Sequence, residues 1–415
     1  MRSPRTYDRT LTDYEPFAGS DQIRHVQALA DELGGTRVLH VNSAASGGGV
    51  AELLRSLVPL FTDVGIETDW FVMDADESFF DVTKSLHNGL QGGEITLTDE
   101  MKARYRTVTE RNATAVTAEY DIVVLHDPQP LGMLSVLRDR YPDTTFVWRC
   151  HLDTSSPTRS ALEFISTFVP RVDHVVFSRA AYGREIAVPA STVIRPAIDP
   201  LGEKNRPLDR SEADVERARL AADGLSFERP VVTQVSRFDP WKDQSGVIDA
   251  FRRIETTVPN AQLVLVGGTA DDDPEGIEIY DRTAAKAADD SDVHLLTDLP
   301  DTTVNFLQRR ADVVVQKSLR EGFGLVVSEA LWKRTPVIGS NVGGIPLQIA
   351  DGENGYLVEP TDLHTVSDRL TRLLTDGSLR QRLGRRGHAT VRERFLLPRQ
   401  LADCLELFDD LGDAA

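Results

Sequence analysis

"ADVVVQKSLREGFGLVVSEALWKRTPVIG" (311–339) holds one complete repeat of the pattern that runs along this chain. "ADVVVQ" is a short β-branched run that reads as a buried strand, and "TPVIG" (335–339) is a second. Between them "KSLREGFG" (317–324) is a glycine-bearing loop and "LVVSEALWK" (325–333) a helix. Strand, loop, helix and strand in that order make a parallel βαβ unit. Two acids, Glu321 and Glu329, lie eight positions apart on either side of the Gly-Phe-Gly turn.

The same alternation runs along the rest of the chain. In the first half, strands are expected at "TRVLHVN" (36–42), "DIVVLH" (121–126), "TFVWR" (145–149) and "HVVFS" (174–178). A helix follows the first of them at "GGVAELLRSLVPLF", with Leu53, Leu54, Leu57, Val58 and Phe61 at helical spacing. "RPAIDPLGEKNRPL" (195–208) carries three prolines and a glycine and reads as a hinge or linker. Further strands are expected at "PVVTQVS" (230–236), "AQLVLVGG" (261–268) and "DVHLL" (292–296). The predicted class is α/β: two Rossmann-like, doubly wound domains facing across a cleft, residues 1–197 and 198–395. A helical segment, 396–415, is expected to pack back on the first domain.

Composition narrows the function. The 415 residues suit two large domains, and 40% apolar content suffices for their cores. A net charge of -19 and a pI of about 4.9 argue against nucleic acid or an anionic membrane as partner. Only seven of the 46 Lys and Arg residues are lysines, a balance that suits a protein kept soluble in concentrated salt. Cys150 and Cys404 are too few for a disulfide framework. Neither a signal-peptide core nor an apolar run of membrane-spanning length is found, so a cytoplasmic location is expected.

Ligands of doubly wound sheets sit beyond the C-terminal strand ends. "NSAASGGGVAE" (42–52) follows a strand and opens a helix, and its Gly47, Gly48 and Gly49 let backbone N–H groups approach a phosphate or a hydroxyl. It has neither the dinucleotide fingerprint nor a P-loop lysine. "SRFDPWKD" (236–243) places Arg237 and Lys242 at another strand end, where two cations can neutralise a departing diphosphate. "HDPQP" (126–130) and "WRCHLDTS" (148–155) place His126, Asp127, His151 and Asp153 on the same side. His151 and Asp153 lack a third metal ligand at suitable spacing. His151 reads either as a hydrogen-bonding group of the cleft or as a satisfied structural histidine. Glu321 is read as free in its loop to accept bonds from sugar hydroxyls, and Glu329, about a turn into its helix, as the acceptor for a vicinal diol.

Together these motifs resemble the retaining GT-B glycosyltransferases of glycosyltransferase family 4. The E-x7-E pair matches Glu321 and Glu329, the diphosphate-binding cations match Arg237 and Lys242, and the N-terminal glycine loop matches Gly47, Gly48 and Gly49. His151 matches the histidine near the 6-hydroxyl of the donor sugar. "DESFFDVTKSLHNGLQG", "VLHDPQP", "WRCHLD", "QVSRFDPWKD" and "VGGIPLQI" narrow the likeness to the trehalose glycosyltransferring synthases and trehalose phosphorylases.

The resemblance implies transfer of glucose from a nucleoside diphosphate glucose to free glucose, giving α,α-trehalose with retention. Catalysis would rest on Glu321, Arg237, Lys242 and His151. Donor contacts would come from Gly322, Phe323, Gly324, Leu325 and Glu329 on the second domain. Acceptor contacts would come from Asn42, Gly47, Gly48, Gly49, His126, Asp127 and Asp153 on the first. No cofactor or metal is expected to be tightly bound, with Mg2+ at most a stimulant. The expected partners are small-molecule sugars, without nucleic acid or membrane, and a homodimer is admissible. A phosphorylase using glucose 1-phosphate, another family 4 glucosyltransferase and a non-catalytic sugar-nucleotide sensor remain as alternatives.

Overall fold

In the computed structural model, which describes residues 2–46, 48–268 and 274–412, the chain divides into two units. One comprises Met1–Ala197 with Leu396–Ala415, the other Ile198–Phe395.

The first unit holds six parallel strands: β1 (Arg37–Asn42), β2 (Glu67–Val72), β3 (Ile122–His126), β4 (Thr145–Cys150), β5 (His174–Phe177) and β6 (Ser191–Val193). Their order is β2-β1-β3-β4-β5-β6, so the chain reverses direction across the sheet between β1 and β3. One face carries a large core that includes Leu39, Val41, Phe146, Trp148 and Phe177. The other face is covered in part by the helix Gly49–Asp63, whose Leu53, Leu54, Leu57, Val58 and Phe61 are all buried as their spacing requires. The helix Leu397–Gly412 packs in the same unit, where Phe408 stacks on Phe61 and the Gln400 side-chain Oε1 accepts from the Ala197 N–H at 2.8 Å.

The second unit also has six parallel strands: β7 (Val231–Val235), β8 (Gln262–Gly267), β9 (Val293–Thr297), β10 (Val313–Gln316), β11 (Val337–Ser340) and β12 (Tyr356–Val358). Their order is β12-β11-β10-β7-β8-β9. The reversal falls between β7 and β10, which pair through Val232 with Val313 and Thr233 with Val314. A crevice outside the carboxyl ends of the strands at such a reversal is where open α/β sheets bind ligands.

Four strands were expected in the first unit and five in the second, and six occur in each among the described residues. The additional ones, β2, β6 and β12, are all sheet edges. Along β2, "ETDWFV", only Trp70 and Val72 are buried, and β6 and β12 have three residues each. An edge strand is covered less than a central one and lacks the continuous apolar run that marks β8, buried at all six positions.

Candidate active site

The two loops at the β7/β10 reversal are tied to each other. Lys242 lies in the short helical turn Pro240–Lys242 that follows β7, ordered by Asp239, whose carboxylate accepts from the Trp241 N–H at 2.8 Å. Its ammonium reaches Glu321 Oε2 at 2.7 Å. The same oxygen accepts from Ser318 Oγ at 3.1 Å and Gln316 Nε2 at 3.2 Å. A second ion pair runs the opposite way, from buried Lys317 in the β10 loop to Asp243 after β7. Asp243 sits at φ 49°, in the left-handed region, and caps the helix Gln244–Arg252 through the Gly246 N–H. The Leu319 N–H donates to the Trp241 carbonyl at 2.7 Å, and the Arg320 guanidinium lies over the Trp241 ring.

This differs from the sequence reading in one respect. Glu321 was expected to stand free in its loop, yet it is buried and already accepts three hydrogen bonds. Burying a carboxylate requires such partners, and the nearest cation supplies the strongest. Arg237 keeps the expected exposure, with half of its side chain open and Asp239 3.8 Å away.

The loop Gly322–Gly324 is shaped from behind. Gly324 has φ 80° and precedes the helix Leu325–Trp332. Gln348 donates to the Phe323 carbonyl at 2.6 Å and is itself held by Ser328 Oγ at 2.6 Å. Gly344 presses against the same loop, since a Cβ there would lie 2.7 Å from Phe323 Cα and 2.8 Å from the Gly322 carbonyl oxygen. Glu329 is buried in that helix, with Gln308 Nε2 3.4 Å from its Oε2.

In the first unit the β1/β3 reversal carries three histidines in series. His40 Nδ1 lies 3.0 Å from His126 Nε2, and His126 Nδ1 lies 3.0 Å from His151 Nε2. Strand register explains the chain. His40 pairs with Val124 on β3, and His126 is two residues further along. His126 in turn pairs with Arg149 on β4, and His151 is two residues beyond that. Alternate residues share a face, so the rings climb diagonally toward the C-terminal edge. Burial pushes His40 down to about 3, and burial also holds His126 and His151 well below the usual histidine range. Asp127, at φ 63°, accepts the His151 backbone N–H at 2.8 Å and is pushed up to about 7 by burial.

Several expected acceptor contacts are otherwise engaged. Both ring nitrogens of His126 are taken, so it stands behind His151 and cannot itself hydrogen-bond a sugar. Asn42 accepts from Trp70 Nε1 and donates to the Ala44 carbonyl, spanning the turn after β1. Asp153 Oδ1 accepts from both the N–H and the hydroxyl of Ser155. Gly48 and Gly49 begin the following helix, and Gly47 lies outside the described residues. Burial raises the Cys150 thiol and pushes Cys404 up to about 12, so neither is a nucleophile at neutral pH. Among the described residues no group of three or more His, Cys, Asp or Glu is placed to hold a metal ion. None of the helices described is long and apolar enough to cross a membrane.

Sequence reasoning passed over His40, Lys317, Asp243 and Gln348. His40 had a signal, two positions before Asn42 in a strand, but only the register links it to His126.

Comparison with known proteins agrees with this organisation. Residues 40–184 match the family model for the N-terminal domain of trehalose synthase, and residues 219–390 match that of glycosyl transferases group 1. A trehalose synthase of Rubrobacter xylanophilus is 44% identical over 410 residues, covering 97% of each chain. One from Thermococcus litoralis is 41% identical over 407 residues at the same coverage. A trehalose phosphorylase of Pleurotus pulmonarius is 28% identical over 421 residues, covering 90% of this chain and 57% of that one. Among solved structures, an α,α-trehalose-phosphate synthase of Burkholderia vietnamiensis superposes with a TM-score of 0.74 at 16% identity, over 92% of this chain and all of that one. A sucrose-phosphate synthase of Thermosynechococcus elongatus gives 0.72 at 19%, with the same coverage. Both units thus carry the GT-B architecture, and the chain belongs to the trehalose synthase family of glycosyltransferases.

Proposed function

We propose that the protein transfers glucose from a nucleoside diphosphate glucose to free glucose, forming α,α-trehalose and releasing the nucleoside diphosphate. The observation that carries this reading is the end-to-end likeness to trehalose synthases, 97% of both chains at 44% identity. The phosphorylase relative is less similar, at 28% identity, which favours the synthase.

In this reading the second unit takes the donor. Arg237 and Lys242 bear on the diphosphate, which gains negative charge as the glycosidic bond breaks. N–H groups at the start of the helix Leu325–Trp332 add their dipole. Lys242 is held by Glu321 before the donor arrives, so diphosphate binding draws the ammonium away and releases carboxylate capacity for the glucosyl hydroxyls. Glu329, with Gln308 beside it, accepts from the ribose diol. The first unit takes the acceptor near Asp127, with His151 contributing a hydrogen bond. The leaving phosphate oxygen receives the acceptor proton, and the new bond forms on the face the diphosphate leaves, which retains configuration.

The test is product analysis with a panel of nucleoside diphosphate glucoses, each with and without glucose, beside glucose 1-phosphate. Acceptor-dependent release of nucleoside diphosphate together with trehalose is the expected result. Trehalose and inorganic phosphate from glucose 1-phosphate and glucose, without any nucleotide sugar, would identify a phosphorylase. Binding without turnover would identify a sensor.

A further inference from the structure

The chain His40–His126–His151 ends differently on its two sides. At its outer end, His151 is only partly buried and its Nδ1 makes no hydrogen bond among the described residues. At the inner end His40 is 3% exposed, stacked on Phe61, and its Nε2 is buried without a hydrogen-bond partner.

Two N···N bonds in series between neutral imidazoles must run in one direction. Each ring has one N–H and one lone pair, so the ring that accepts at one nitrogen donates at the other. If donation runs outward, every ring is protonated at Nδ1, the buried end is a bare lone pair and His151 presents an N–H. If it runs inward, every ring is protonated at Nε2 and an N–H is buried against Phe61 with no acceptor. Orphaned buried N–H groups are the rarer of the two defects in folded proteins. The outward direction also turns a donor toward the oxygen-rich ligand of a sugar site.

We propose that His40 and His126 are positioning residues for His151: their two hydrogen bonds lock its ring and hold its exposed Nδ1 as an N–H donor to a sugar oxygen. His40 touches no ligand, so its effect on transfer passes entirely through the other two rings. The proposal rests on the reading of His151 as a group of the transferase site, but its first readout is spectroscopic and independent of activity.

The experiment is long-range 1H–15N correlation on protein labelled with 15N-histidine, with resonances assigned by single substitution, beside steady-state kinetics. In the wild type, His151 should show a protonated Nδ1 and a bare Nε2. In His40→Leu the chain loses its first donor, so His151 should become a mixture of tautomers and kcat should fall about tenfold or more. His40→Asn offers an amide N–H close to the lost Nδ1–H, and it should restore both the single tautomer and most of kcat. A wild-type His151 protonated at Nε2 would overturn the assigned direction. A His40→Leu enzyme with unchanged tautomer and kcat would overturn the coupling. If His40→Leu does not fold, the wild-type spectrum and the Asn variant decide the matter. A correct tautomer pattern in a protein that lacks transferase activity would leave the hydrogen-bond chain standing and remove only its role in transfer.

Discussion

Lys242 and Glu321, 79 residues apart in the chain, form a 2.7 Å ion pair with side chains only 18% and 10% exposed. Lys317 and Asp243 join the same two loops in the opposite sense. Each loop therefore contributes one cation and one anion to the other. Removing either partner of Lys242–Glu321 leaves a largely desolvated charge, which costs more than removing both. In denaturant unfolding, Lys242→Met and Glu321→Gln should each destabilise, and the double variant should lose about 1–3 kcal/mol less than their sum. Additive losses would show that the pair is not energetically coupled.

Transfer tests the same lysine differently. If Lys242 bears on the departing diphosphate as proposed, its loss should lower kcat of Lys242→Met about 10²–10³-fold, equivalent to roughly 3–4 kcal/mol. The melting temperature of the variant shows whether the fold survives. Turnover within a factor of two of wild type in a folded variant would remove Lys242 from the leaving-group role.

Gly344 offers a test of loop placement without touching a charged group. Its missing Cβ is filled by backbone atoms of Gly322 and Phe323, which have no rotamer to escape into. Gly344→Ala must therefore displace the loop, and misplacement of about 1 Å can cost roughly 100-fold in rate. We expect kcat/KM to fall about 10- to 100-fold. Gly377→Ala is the control, because its Cβ would meet nothing nearer than an Arg380 side-chain atom at 3.7 Å. Equal rates for the two variants would contradict the proposed role of Gly344.

Much of this architecture was legible because β7, β8 and β10 are central strands whose apolar runs are almost uninterrupted. Their ends mark where Arg237, Lys242 and Glu321 emerge, so candidate residues could be named from strand position alone. What stayed hidden depends on distance across the sheet. The Lys242–Glu321 contact requires β7 beside β10, and the histidine chain requires the register of β1, β3 and β4. Neither order nor register is written in any single segment. The expectation that Glu321 is free failed for this reason, since its cation lies on a distant loop.

Histidines kept neutral by burial make stability depend on pH. His40, His126 and His151 hold their protons less tightly folded than unfolded, so their contribution is full above about pH 6.5 and is lost as pH falls. Asp127, pushed up to about 7, acts in the other direction, weakening the fold as pH rises from about 4 to 7. Below about pH 6.5 unfolding therefore takes up protons on the histidines, while Asp127 releases its own, so the two effects oppose each other. Denaturant titrations between pH 7 and 4 should show stability falling with pH, and His40→Leu should flatten the slope. An unchanged slope in that variant would mean His40 titrates normally in the fold.

Charge composition gives a separate expectation. With a net charge of -19 the folded chain repels itself, and salt screens that repulsion. The melting temperature should rise between dilute buffer and molar KCl. A value that does not change would contradict adaptation to salt.

Glu321 and Glu329 should fail in different ways. The first gathers Lys242, Gln316 and Ser318 on one oxygen, within the loop that faces the proposed glucosyl group. The second is buried one helix turn away beside Gln308, where the proposed ligand is a ribose diol present equally in ground and transition states. Interactions of equal strength in both states affect binding alone, so Glu329→Ala should raise KM for the donor with little change in kcat. Glu321→Ala should instead lower kcat, because in the proposed reading Glu321 orients the ring while positive charge develops at the anomeric carbon, and because its loss releases Lys242 from its position. Free nucleoside diphosphate should bind the Glu321 variant at least as well as wild type, since the ammonium no longer has to leave a carboxylate to meet a phosphate. Calorimetric titration of each variant with nucleoside diphosphate, beside steady-state rates, separates the two. Loss of nucleotide affinity in the Glu321 variant with affinity retained in the Glu329 variant would reverse the assignment. If neither binding nor rate changes in either, the donor does not bind at the β7/β10 reversal.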